Sequence, residues 1–134
     1  MFEPMPFSFR SAQEAGPGPV LADRNREIPG EPQERALVCR ACGLPVALDR
    51  DRVEVNGKHG HALFNPAGIL FEVGCFAAAH GCRFEGEFTP EFSWFPGFAW
   101  RYALCRRCDA HLGWEYRGVA GGFVGLIMTE LRES

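Results

Sequence analysis

The sequence predicts an all-β fold, and three observations carry that prediction. Apolar residues recur with a period of two in several short runs, as in ILFEVGCF and HLGWEY. Aromatic residues make up 13% of the chain and there are 16 glycines, a pairing that suits short strands and tight turns better than helices. Turn-forming clusters such as NG, NPAG and GVAGG separate the runs.

At 134 residues the chain reads as one domain with a tail. Its net charge is −3, with no stripe of Lys and Arg, so no nucleic-acid partner is expected. No apolar run approaches the roughly 20 residues of a membrane helix, so no membrane partner is expected. The N-terminal MFEPMPFSFRSAQEAG has no basic segment followed by an apolar one, so no secretory signal is read. The default location is then cytoplasmic, where thiols stay reduced and paired Cys-x-x-Cys motifs indicate a metal site rather than disulfides.

Residues 1–35 hold most of the prolines, no cysteine and no sustained period, and read as a disordered or loosely attached arm. The folded domain is then 36–134, small enough for a metal staple to matter. ALVCRACG forms a first knuckle, with Gly43 supplying the backbone freedom of its turn. Residues 44–48 and 53–55 are short strand candidates around a charged DRDR turn, and NGKHGH at 56–61 is a loop. Asn65–Gly68 is a turn between two extended runs. In the second run Ile69, Phe71, Val73 and Cys75 share one face. AAAHG is a loop or one helical turn, and CRFEGEF is a strand. WRYAL runs as a strand into a second knuckle, CRRCD. HLGWEY is a further strand, FVGLIM is the last, and TELRES is a short helical turn or frayed end.

Cys39, Cys42, Cys105 and Cys108 are the strongest chemical signal. Soft thiolates take zinc or an iron–sulfur cluster, and two strand-flanked knuckles favour tetrahedral Zn²⁺. Four protein ligands leave no open coordination position, so the metal is structural: it ties the segment near residue 40 to the one near residue 106. Arg40, Arg106 and Arg107 either offset the thiolate charge or are solvated turn residues. Cys75 and Cys82 are left over; on an apolar strand face Cys75 reads as a small hydrophobe rather than a redox or metal residue.

All three tryptophans fall within residues 92–116, beside the second knuckle. Trp94 and Trp100 bracket FPGFA, a hairpin-like turn, and Trp114 lies on the strand after the knuckle. Three indoles meeting at right angles make a box for a flat or cationic ligand, with indole N–H groups as donors. A tryptophan core is the alternative reading.

FNPAG at 64–68, FSWFPGFAW at 92–100 and HLGW at 111–114, framed by the two Cys-x-x-Cys pairs, resemble the CULT domain family. That family comprises the thalidomide-binding domain of cereblon and single-domain bacterial relatives. The resemblance covers about 36–130 with the motifs in matching order. It implies a zinc-pinned β-tent of two antiparallel sheets at roughly right angles, and an activity of binding rather than catalysis. It implies a cage of Trp94, Trp100 and Trp114 around a cyclic imide or ureide such as glutarimide. The Phe92 carbonyl and Trp94 N–H meet the imide edge, Asn65 and Pro66 form a flap, Tyr116 closes the floor and Ser93 supports the loop. Phe92 stands where eukaryotic members carry histidine, so one side-chain hydrogen bond is missing while the backbone pair remains. Uridine and cyclised Asn or Gln at damaged protein C-termini present a similar edge. The ubiquitin-ligase adaptor domain of cereblon is not read in this chain.

Two other functional classes share some of these features. HLGW after a Cys-x-x-Cys also resembles zinc-bearing methionine sulfoxide reductases, but no cysteine follows Cys108 to act as nucleophile. A zinc-ribbon module binding protein or RNA would use exposed aromatics for stacking, against which the acidic balance counts. His59 and His61 read as solvated loop residues, His111 as making a local bond near the knuckle, and Glu85 and Glu87 as exposed.

Overall fold

The structure, a computed structural model, describes residues 35–134. The arm read at 1–35 therefore lies almost wholly outside the described residues. Nine strands follow in order: β1 Ala36–Cys39, β2 Pro45–Leu48, β3 Gly60–Phe64, β4 Leu70–Phe76, β5 Cys82–Thr89, β6 Ala99–Cys105, β7 His111–Gly118, β8 Gly121–Ile127 and β9 Leu131–Glu133. They form two antiparallel sheets, one of three strands in the order β2-β1-β9 and one of six in the order β3-β4-β8-β7-β6-β5. Among the described residues the only helical segments are 3-10 turns at Asp49–Asp51 and Met128–Glu130, so the all-β reading stands.

Three local features of the larger sheet follow from its sequence. Asn65 builds the β3–β4 turn: its side-chain oxygen accepts the N–H groups of Ala67 and Ile69 at 3.0 and 2.9 Å, and Gly68 takes a φ of 83°. Gly86, at φ 90°, lies where the β5–β6 register shifts, between Glu85 and Thr89. At Gly113 any side chain would collide with the Gly125 carbonyl on β8, which is why HLGW carries glycine there.

Two cores result. The first, around Phe76, Leu112, Leu126 and Val46, joins the two sheets and contains Cys39, Cys82 and Cys105. The second, around Phe95, Tyr116, Phe123 and Val73, contains Cys75 and Trp114 and lies beside the tryptophan segment. Cys75 is fully buried, as its strand face suggested.

Several local readings change. Residues 53–55 form no strand: Val53 donates one bond to the Cys75 carbonyl, and Val55 exchanges a pair of backbone bonds with Lys58 across the tight turn at Asn56 and Gly57, an isolated bridge rather than a ladder. Gly60 and His61 belong to β3 rather than to a loop. His61 is buried edge-on against Phe95, 5.1 Å between ring centroids. His59 is held between Arg52, at 2.7 Å, and the Phe76 ring, so neither histidine is a solvated loop residue. FVGLIM is not the last strand: after the turn at Met128–Glu130 the chain returns as β9, pairing Leu131 with Cys39. That pairing joins the two ends of the domain, and no local period announces it.

Candidate functional site

The two knuckles are built alike. In the first, the Cys39 N–H donates to the Leu44 carbonyl at 2.8 Å and the Gly43 N–H to the Cys39 carbonyl at 2.7 Å. In the second, Cys105 donates to Ala110 at 2.8 Å and Asp109 to Cys105 at 2.9 Å. The residue after the second cysteine has a positive φ in both, 84° at Gly43 and 66° at Asp109. β1 and β2 flank one knuckle, β6 and β7 the other, so each sheet presents one pair of thiols.

All four sulfurs lie within 4.8 Å of one another, with Cys39–Cys108 at 3.7 Å and Cys42–Cys105 at 3.5 Å, and all four cysteines are free of disulfides. Burial raises the Cys105 thiol, but the N–H groups of Cys108 and Arg107 and the neighbouring sulfurs outweigh it and bring it to about 7. The Ala110 N–H lowers Cys108, but desolvation and the sulfurs of Cys105, Cys39 and Cys42 push it up to about 12. Four thiolates at this range need a cation between them. The arginines of the knuckles are braces: Arg40 donates to the Thr129 and Leu131 carbonyls, Arg106 to Cys82 and Arg107 to Cys42. They tie the knuckles to β9, to β5 and to each other.

The second feature is a cavity of about 400 Å³ to which the tryptophan segment contributes one side. Phe95 anchors that segment. It is 2% exposed and packs edge-on against Tyr116 and Phe123, at 4.9 and 5.1 Å. Phe98 also packs on Phe123, at 5.3 Å. With these phenylalanines in the core, the flanking Trp94 and Trp100 line the cavity. Trp114 reaches it from β7 and meets Trp94 at 5.0 Å and 88°. Trp100 stands in β6, edge-on to Tyr102 at 5.3 Å.

Two indole N–H groups are spent on backbone and are not ligand donors as the box reading supposed. Trp94 donates to the Phe64 carbonyl at 2.6 Å and Trp100 to the Glu91 carbonyl at 2.7 Å. These bonds fix the ring orientations. The polar groups left open are elsewhere. Phe92 is 75% exposed, has a φ of 57° and lines the cavity. Among the described residues, neither its carbonyl nor the Trp94 amide N–H takes a hydrogen-bond partner. Ser93 donates its hydroxyl to the Phe95 carbonyl at 3.1 Å and accepts the Phe95 N–H at 3.3 Å, bracing the turn without lining the cavity.

Asn65 and Pro66 line the cavity from the β3–β4 turn, and Tyr116 lines it from β7. Tyr116 is 2% exposed and stacks on Phe123 at 4.9 Å and 17°; burial pushes its hydroxyl well above the ordinary phenol range. Gly125 leaves the space this ring occupies. Three further lining residues were missed from the sequence: Phe71, Tyr102 and His111. Only Tyr102 carried a local signal, standing two residues from Trp100 on β6; Phe71 comes from β4, and His111 lies three residues from Trp114, off the period of two.

Cys75 and Cys82 stand apart from this cavity. Desolvation pushes their thiols up to about 11 and about 12. No helix among the described residues is long and apolar enough to cross a membrane.

No family model matches the sequence. Cereblon of Drosophila virilis is 36% identical over 109 residues, which make up 75% of this chain and 17% of the fly protein. Cereblon of Drosophila willistoni is 37% identical over 108 residues, 74% of this chain and 18% of that protein. The chain thus spans less than a fifth of the length of these curated relatives. Among solved structures, the Mis18 "Yippee-like" domain superposes with a TM-score of 0.54 at 15% identity, covering 76% of this chain and 96% of that domain; this likeness bears on the fold alone.

Proposed function

We propose a binding function for this chain, which is a homologue of the CULT domain of cereblon: it holds a small cyclic imide or ureide in the tryptophan-lined cavity, on a scaffold pinned by one structural Zn²⁺. The observation that carries the reading is the pairing of two things on one loop. Trp94 supplies an aromatic wall at 88° to Trp114. The same loop offers an uncommitted acceptor and donor, the Phe92 carbonyl and Trp94 N–H, beside that wall.

The chemistry follows from those groups. An imide edge presents carbonyl, N–H and carbonyl. The Phe92 carbonyl accepts the imide N–H, and the Trp94 N–H donates to one imide carbonyl. Aromatic walls exclude water, so both bonds are stronger than at an open surface. Trp100 is the third wall, Asn65 and Pro66 close over the ring, and Tyr116 lies beneath it. Glutarimide, uracil and a cyclised C-terminal Asn or Gln share this edge. The partner is therefore a small molecule or a modified protein C-terminus.

Zinc fits the thiol cluster. Four sulfurs about 2.3 Å from one tetrahedral Zn²⁺ lie about 3.8 Å apart, close to the 3.7 and 3.5 Å between the paired sulfurs here. When bound, the ion would offset half of the charge of four thiolates and lock one sheet to the other. With four protein ligands it has no position for water, so its role is structural.

A thiol enzyme is disfavoured by a specific observation. Cys75 and Cys82 are buried with raised thiols, the reverse of an activated nucleophile.

Titrating the protein with glutarimide and with uridine while following indole emission tests the reading. Saturable quenching or a blue shift, lost in Trp100→Ala, is expected. Unchanged emission up to millimolar ligand would refute it. Elemental analysis of the purified protein is expected to give about one zinc per chain.

A further inference from the structure

We infer that the cavity has a second subsite, walled by Tyr102 and His111, which reads a hydrogen-bonding substituent carried by the ring ligand. This rests on the imide-binding reading and deepens it.

Both residues line the cavity. They stand on neighbouring strands, β6 and β7, with ring centroids 5.5 Å apart at 76°. Each is set by a cage indole: Tyr102 meets Trp100 at 5.3 Å and 80°, and His111 meets Trp114 at 5.0 Å and 87°. The pair is therefore positioned by the same rings that would hold the ligand.

Their polar atoms are open. Nε2 of His111 lies 2.9 Å from the Gly113 carbonyl. A carbonyl only accepts, so Nε2 carries the proton and Nδ1 presents a lone pair. Among the described residues, neither Nδ1 of His111 nor the Tyr102 hydroxyl has a hydrogen-bond partner. An all-apolar wall would hold a bare ring as well. An acceptor nitrogen next to a hydroxyl that both donates and accepts is a recognition surface.

The space agrees. A cavity of about 400 Å³ falls in the range of pockets that enclose drug-sized ligands, and one six-membered ring fills only part of it. With the imide edge on Phe92 and Trp94, the remaining room is bounded partly by Tyr102 and His111. The matching chemistry is a neutral substituent that donates a hydrogen bond. An acylamino group on the ring carbon, as at a cyclised peptide terminus, has it. So do the ribose hydroxyls of a nucleoside.

The test compares two ligand pairs on the full chain by calorimetry: glutarimide against glutarimide bearing a ring acetamido group, and uracil against uridine. At least one substituted ligand is expected to bind about tenfold tighter than its bare ring, the gain of one or two buried hydrogen bonds. Which pair shows the gain tells a peptide terminus from a nucleoside. Tyr102→Phe is expected to weaken the substituted ligand several-fold more than the bare ring; this side chain is 46% exposed, so folding is not at stake. His111→Phe, which keeps an aromatic ring against Trp114, should do the same.

Equal affinities within both pairs would overturn the subsite. So would variants that weaken bare and substituted rings alike, because the two residues would then be only props for the indoles. If neither bare ring binds the wild-type protein, the imide reading falls and the subsite with it. If bare rings bind without any substituent gain, only the subsite falls.

Discussion

The indole N–H of Trp94 donates to the carbonyl of Phe64 across 2.6 Å, tying one cavity wall to the β3–β4 turn that carries Asn65 and Pro66. The cavity wall and the β3–β4 turn are thus one mechanical unit. Trp94→Phe keeps an aromatic face toward Trp114 and removes only the donor and part of the ring. Affinity for glutarimide is expected to fall about tenfold by calorimetry, the cost of one lost positioning bond. Trp94→Ala, which removes the wall, should cost more than about thirtyfold. Wild-type affinity in Trp94→Phe would show that the latch plays no part in binding.

The knuckles make a prediction about folding. The smaller sheet has only three short strands, and the thiol cluster joins it to the larger one. Structural zinc supplies roughly 10–16 kcal/mol in peptide systems, more than the whole stability of most small domains. Cys42→Ser is therefore expected to abolish cooperative thermal unfolding, and a strong chelator should do the same to the wild type. Cys75→Ser, outside the cluster, should leave the zinc content unchanged while burying a hydroxyl in an apolar core, at a cost of about 1–3 kcal/mol in urea unfolding. A chelated protein that keeps its full melting transition would show that the metal is dispensable.

These contrasts mark what the sequence discloses. The knuckles are legible because Cys-x-x-Cys followed by Gly43 or Asp109 is a local turn, set by nearest neighbours. That the tryptophans line a cavity is legible because Trp94 and Trp100 bracket Phe95 and Phe98 on one short loop, and the bracketed phenylalanines pack inward. β9 is not legible: its three residues are a strand only because β1 lies beside them. His59 and His61 are misread for a similar reason. A polar, glycine-rich run looks solvated until Phe76 from β4 and Phe95 from the loop between β5 and β6 cover it. The indole N–H groups of Trp94 and Trp100 bond to carbonyls that backbone folding alone brings near.

Gly113 tests the fit between β7 and β8. A methyl group there would meet the Gly125 carbonyl and the Leu126 backbone, not a movable side chain. The strands cannot separate without breaking the ladder that also holds Trp114 opposite Gly125. Gly113→Ala is expected to destabilise the domain by about 3 kcal/mol or more in urea unfolding. Gly97→Ala is a useful comparison: nothing lies near its added methyl, but its φ of 89° still imposes backbone strain, so a loss of about 1–2 kcal/mol is expected. A Gly113→Ala loss no larger than that of Gly97→Ala would mean that β7 and β8 are less tightly joined than the geometry indicates.

His111 gives the domain a pH dependence whose sign can be fixed in advance. Desolvation lowers its pKa below the ordinary 6.5, only partly offset by the Gly113 carbonyl and by the charge of Glu130. The folded protein therefore holds a neutral imidazole where the unfolded chain would already be protonated. Between the lowered folded value and 6.5 the unfolded state binds the extra proton, so stability falls as pH drops through 6.5 and levels off below the folded value. Above 6.5 this residue contributes no slope. Acid also protonates the knuckle thiolates, so the measurement is the difference between wild type and His111→Phe in urea unfolding from pH 8 to 5. The wild type is expected to lose more stability than the variant over the lower part of that range. Parallel pH profiles would show that the imidazole is as well solvated in the fold as in the unfolded chain.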